Sequence, residues 1–138
     1  MPTRDIIHTA VRNALIKDGW TITHDPYTLE YEDTTVFVDL GAERVIAAER
    51  AGQKIAVEIK SFIAPSVIHA MEEALGQYVL YQSLLEAVEP DRHLYLAVSL
   101  PVYENVFARK AIQLLVQRNK MALIVVNLAQ EEVVVWTN

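Results

Sequence analysis

The chain has 138 residues and a mass of 15.6 kDa, enough for one domain that buries roughly 68% of its unfolded surface without a covalent staple. It contains no cysteine, which excludes disulfides, thiolate metal sites and a cysteine nucleophile. Twelve Lys and Arg against eighteen Asp and Glu leave a net charge of −6, which opposes tight unaided binding to nucleic acid.

The predicted elements run as follows. Thr3 caps a first helix in which Ile7, Ala10, Val11, Ala14 and Leu15 recur at helical spacing, and Gly19 stops it. Trp20 to Thr23 reads as a short strand, and His24 to Asp33, polar and broken by Pro26, as a loop. Thr34 to Leu40, Glu43 to Glu49 and Lys54 to Ser61 read as strands, the last two joined by a turn over Arg50 to Gln53. Ser66 caps a long helix reaching Val88, ended by Glu89-Pro90-Asp91. Leu94 to Leu100 is a buried strand. Pro101 to Lys120 is helical with a break near Ala108, and strands over Met121 to Leu128 and Glu131 to Trp136 close the chain. Hairpin strands followed by a crossover helix and a further strand predict one α/β domain over residues 1–138, with a mixed sheet and helices on both faces. No apolar run spans a bilayer, the longest being runs such as Ala122 to Val126. No signal peptide is evident either, so a cytoplasmic location is expected.

The chemistry concentrates in Lys54 to Ser61. Strand alternation puts Ile55, Val57 and Ile59 on one face and Ala56, Glu58 and Lys60 on the other. A carboxylate and an ammonium stand together in an apolar strand, where charges need partners. Upstream, Val36-Phe37-Val38 leads into Asp39. If these strands are neighbours, Asp39 and Glu58 converge on one hard cation, and two carboxylates plus the Ile59 carbonyl suit Mg²⁺. Lys60 then stands next to a water or phosphate oxygen. A plain ion pair is the competing reading of Glu-x-Lys. The strand-terminal acid and the order of elements favour the PD-(D/E)xK nuclease pattern, although no proline precedes Asp39.

On a helical wheel, Gln77 falls in the centre of a stripe made by Ala70, Ala74, Tyr81, Leu84 and Val88. Its amide is satisfied either by nearby backbone or by the Asp39, Glu58 and Lys60 cluster. His8 borders the first helix's apolar face. Glu43 and Glu49 read as surface or ion-pair residues, and the tyrosines as packing. Arg109, Lys110, Arg118 and Lys120 stand in a stretch with four bases and no acid, and read as a solvated helix face or as the candidate nucleic-acid contacts. An apolar fraction of 52% fits a dense core, and equally a partner or homo-oligomer surface.

Several runs together carry a resemblance. Val38-Asp39-Leu40-Gly41-Ala42-Glu43-Arg44, Ile55 to Phe62, Ala74 to Tyr78, Asp91 to Val98, Asp18-Gly19-Trp20, His8 and Val135-Trp136 are similar to the XisH family, the fdxN-element excision controlling factors of cyanobacteria. The resemblance implies a restriction-endonuclease-like core, α-β-β-β-α-β, extended here by a C-terminal helix and strands. It implies a role in controlling site-specific excision of a DNA element, together with a companion protein, XisI, and a separate recombinase. Position by position, it implies Asp39, Glu58 and Lys60 as a nuclease-type signature with Gln77 as accessory. It leaves open whether the chain cuts DNA or is a binding module that keeps the fold as scaffold.

Overall fold

The computed structural model describes residues 4–36, 45–63 and 65–137. Helix α1 (Arg4–Lys17) buries Ile7, Val11, Ala14 and Leu15 on one stripe. It ends as the sequence predicts. Gly19 takes φ +93°, a conformation open to glycine, its N–H donates to Ile16 O at 3.0 Å, and Trp20 N–H donates to Leu15 O at 3.0 Å.

The strands are β1 (Thr21–His24), β2 (Leu29–Tyr31), β3 (Thr34–Val36), β4 (Val45–Arg50), β5 (Gln53–Ile59), β6 (Arg92–Ser99), β7 (Leu123–Asn127) and β8 (Glu132–Trp136). Six of them form one mixed sheet in the order β1-β4-β5-β6-β7-β8. β1, β4 and β5 pair antiparallel, and β4 turns into β5 through Ala51 and Gly52, both at positive φ, as a two-residue hairpin requires. Helix α2 (Val67–Val88) then carries the chain back, so that β6 runs parallel to β5, with Ala56 opposite Leu94 and Glu58 opposite Leu96. Ser66 caps α2 by accepting from His69 N–H at 3.2 Å. The helical stretch after β6 is divided into α3 (Leu100–Asn105) and α4 (Lys110–Arg118), with the predicted break between them.

Two cores sandwich the sheet. Ile7, Val11, Leu15, Ile55, Val57, Ile59 and Ile124 fill the α1 side; Met71, Tyr78, Tyr81, Leu85, Leu96, Phe107 and Ile112 fill the side covered by α2, α3 and α4. Helices on both faces of a mixed sheet therefore match the expected class.

Three expectations are corrected. The stretch read as a loop over residues 24–33 holds β2, because buried Tyr27 and Leu29 anchor it under α2 within an otherwise polar run. β3 pairs with β2 in a separate two-stranded sheet, so the described part of the strand leading toward Asp39 is not a neighbour of β5. β5 is flanked instead by β4 and β6. Finally, the buried stripe of α2 is Met71, Ala74, Tyr78, Tyr81 and Leu85, which leaves Val88 exposed and puts Gln77 at the margin rather than the centre. The wheel is rotated because the Tyr78 hydroxyl reaches Leu94 O and Ala122 N–H, which turns that side of the helix inward.

Candidate functional site

Strand alternation fixes the first feature of the site. Ala56 lies in the core beneath α2 while Ile55, Val57 and Ile59 lie in the core beneath α1, so Glu58 and Lys60 share the α2 side. Glu58 is 1% exposed and its Oε2 stands 4.0 Å from Lys60 Nζ, whose side chain is 8% exposed. Two opposite charges thus sit together in the interior, each offsetting the other's lost hydration. Lys60 lies just past the end of β5, yet its N–H still donates to Ala97 O at 3.1 Å, which extends the β5–β6 pairing to this residue. The pair therefore occupies the C-terminal end of the parallel strands, the end at which open α/β sheets take ligands. Beyond it the chain bends sharply: Phe62 has φ +56° and packs edge-on against Phe107, with ring centres 5.5 Å apart.

From α2, Ala74 is fully buried and admits the helix close to the sheet. Gln77 is half-buried, and its Oε1 is buried without a hydrogen-bond partner among the described residues. Tyr78 and Tyr81 belong to the site more directly than packing alone suggests. Burial foremost, and the negative charge of Glu58 with it, raise both phenol pKa values, that of Tyr81 to about 12. Both hydroxyls therefore stay protonated at neutral pH. Tyr78 donates to Leu94 O at 3.2 Å and accepts from Ala122 N–H at 3.0 Å, bridging β6 to the start of β7. Their spacing of three residues, one helical turn, is the signal that places both on the buried face.

The remaining candidates divide by position. Asp39 and Glu43 lie outside the described residues. Glu49 lies toward the opposite end of β5, where it approaches Arg92 at 3.7 Å, in keeping with its ion-pair reading. His8 is on α1, across the sheet from Glu58, and its Nε2 is 3.0 Å from Asp25 Oδ1, with Arg12 donating to the other oxygen. Arg109, Lys110, Arg118 and Lys120 are exposed at and around α4, and none makes an ion pair among the described residues. Lys120 borders a groove of about 670 Å³ floored by Phe107, Met121 and Leu123.

A carboxylate and a main-chain carbonyl are hard oxygen ligands of the kind Mg²⁺ takes. Among the described residues no group of three acidic or histidine side chains converges, so such a site needs an acid from elsewhere. β4 begins with Val45 directly opposite Glu58, and Asp39 precedes β4 in the sequence. Among the described residues, one carboxylate beside an ammonium does not by itself make up such a centre. No helix among the described residues is long and apolar enough to cross a membrane.

The comparisons with known proteins agree with this architecture. No curated protein matches the chain. An XisH family protein from Nostoc punctiforme superposes with a TM-score of 0.90 at 38% identity, covering 97% of this chain and 100% of that one. An fdxN element excision controlling factor protein from Anabaena variabilis superposes with a TM-score of 0.89 at 41% identity, covering 97% and 99% respectively. The family model for XisH protein matches residues 1–134, so this chain belongs to the XisH family.

Proposed function

We propose that this chain controls the site-specific excision of a DNA element, as part of a complex with a companion protein of the XisI type, on a restriction-endonuclease-like core. The single observation that carries the chemical part is the buried Glu58–Lys60 pair at the C-terminal end of β5, facing α2. The order α1, β1, β4, β5, α2, β6 supports the α-β-β-β-α-β core, and the name of the Anabaena variabilis relative supports the excision role.

In this reading Asp39, Glu58 and the Ile59 carbonyl hold Mg²⁺, which supplies a Lewis acid and a water of lowered pKa. Lys60 stabilises negative charge developing on a phosphate oxygen, in a setting shielded from water where such charges interact strongly. Gln77 offers to a donor its Oε1, which is buried without a hydrogen-bond partner among the described residues. A net charge of −6 leaves the bases around α4 too few to hold DNA alone, so the companion contributes the basic surface.

A second reading draws on the same contact: Glu58 and Lys60 neutralise each other, and the fold serves as a protein-binding scaffold. Titration calorimetry with Mn²⁺, run beside cleavage assays on plasmid DNA with and without the companion, separates the two. The nuclease reading expects saturable metal uptake and metal-dependent cleavage, both lost in Glu58→Gln and Asp39→Asn proteins that still melt cooperatively. A folded wild type that takes up no metal, with or without the companion, refutes it and leaves the scaffold.

A further inference from the structure

The charges of two helices on one side of the sheet are segregated by sign. α2 carries Glu72, Glu73 and Glu86 over 22 residues and no Lys or Arg. α4 carries Lys110 and Arg118 over nine residues and no acid, with Arg109 before it and Lys120 after it. Glu73 pairs with His69 at 3.0 Å, whereas Glu72, Glu86, Lys110 and Arg118 make no ion pair among the described residues. Helices in soluble proteins gain from opposite charges one turn apart, and apart from the His69–Glu73 contact neither helix shows that device among the described residues.

Both outer faces also retain apolar side chains. Ile68, Val79, Leu80 and Val88 of α2 are 45–49% exposed, and Leu114 of α4 is 49% exposed. Glu72, Val79 and Glu86 recur every seven residues, forming an acid–apolar–acid row about 21 Å long on one helix face. Lys110, Leu114 and Arg118 recur every four, forming a base–apolar–base row about 12 Å long. The long basic side chains extend the shorter row toward the longer one, so Leu114 set over Val79 brings a base toward each acid. Gly76 lies beside the acid–apolar–acid row on α2. It is exposed in the middle of α2, and a Cβ built there meets nothing within 4 Å, so no contact inside the chain requires its small size. A mid-helix glycine costs about 1 kcal/mol relative to alanine. A neighbouring helix from outside gives it a use.

We propose that the exposed face of α2 docks on α4 of a second copy of this chain. Because both helices cover the same side of the sheet, a two-fold arrangement makes the contact twice, α2 on α4 and α4 on α2, and closes the assembly as a dimer. The complementary rows make the association salt-sensitive. This inference goes beyond the excision reading and does not depend on it.

The experiment is sedimentation analysis of the full chain at low and high salt, with three variants whose melting is measured alongside. Expected are a wild-type dimer that weakens with salt, and at least about 30-fold weaker association in Glu72→Lys/Glu86→Lys and in Lys110→Glu/Arg118→Glu. The four-fold variant carrying both reversals re-forms the dimer. A wild-type monomer at every concentration, a dimer indifferent to either reversal, or a four-fold variant that stays monomeric overturns the proposal.

Discussion

Replacing Glu89 by glutamine tests the polar network that locks the end of α2 to the start of β6. Arg92, with a side chain 3% exposed, donates through Nε and Nη2 to the two Glu89 oxygens at 2.9 and 3.0 Å. Its Nη1 donates to Ile55 O at 3.0 Å, and its guanidinium lies 5.0 Å from the Tyr27 ring centre. Tyr27 Oη donates to Glu89 Oε1 at 2.6 Å. The Arg92 hydrogen bonds foremost, against the opposing effect of burial, lower the Glu89 pKa from 4.5 to about 2. That displacement corresponds to about 3 kcal/mol of stability at neutral pH, close to the roughly 3–5 kcal/mol lost when one partner of a buried pair is removed. The sign follows from a carboxyl depressed in the folded state. Its contribution is complete above pH 4.5 and disappears as pH falls toward 2. Urea unfolding followed by Trp20 and Trp136 fluorescence measures it. Glu89→Gln is expected to lose about 3 kcal/mol at pH 7, with the gap from wild type closing below pH 3. A loss under about 1 kcal/mol at pH 7, or a gap unchanged between pH 7 and pH 2.5, refutes the reasoning.

Other outcomes follow from single contacts. Lys60→Met is expected to cost about 3 kcal/mol by leaving Glu58 buried opposite no ammonium, while Glu58→Gln/Lys60→Met recovers part of that loss in the same urea assay. Gly76→Ala, at a position where a Cβ meets nothing, is expected to raise monomer stability by about 1 kcal/mol, read as a higher urea midpoint with unchanged slope. Ser66→Ala removes the oxygen that accepts from His69 N–H and is expected to cost about 1 kcal/mol by the same measurement, whereas Ser66→Asp retains the cap.

Much of the fold is legible along the chain because its signals are local. Gly19, the Ala51-Gly52 turn, the Ser66 cap and the break between α3 and α4 each depend on a few neighbouring residues, and each is found where the sequence puts it. The shared face of Glu58 and Lys60 is equally local, since strand alternation permits no other arrangement. What failed depended on partners distant in sequence. Leu29 is a strand residue because α2 covers it, and residues 24–33 alone show mostly polar side chains. The pairing of β3 with β2, and the choice of β4 as the neighbour of Glu58, rest on which edges meet in space.

Gln77 shows the division most clearly. Its helix was predictable, but the apolar residues of α2 are so evenly spread that hydropathy alone does not choose the inward face. The Tyr78 hydroxyl, bonded to Leu94 O and Ala122 N–H, chooses it by tying the helix to two strands. The elements, their alternation and the charged pair of β5 follow from backbone geometry over a few residues, so they can be read along the chain. How each element is rotated and what it touches depend on hydrogen bonds and packing between residues far apart in the chain, so they emerge with the fold.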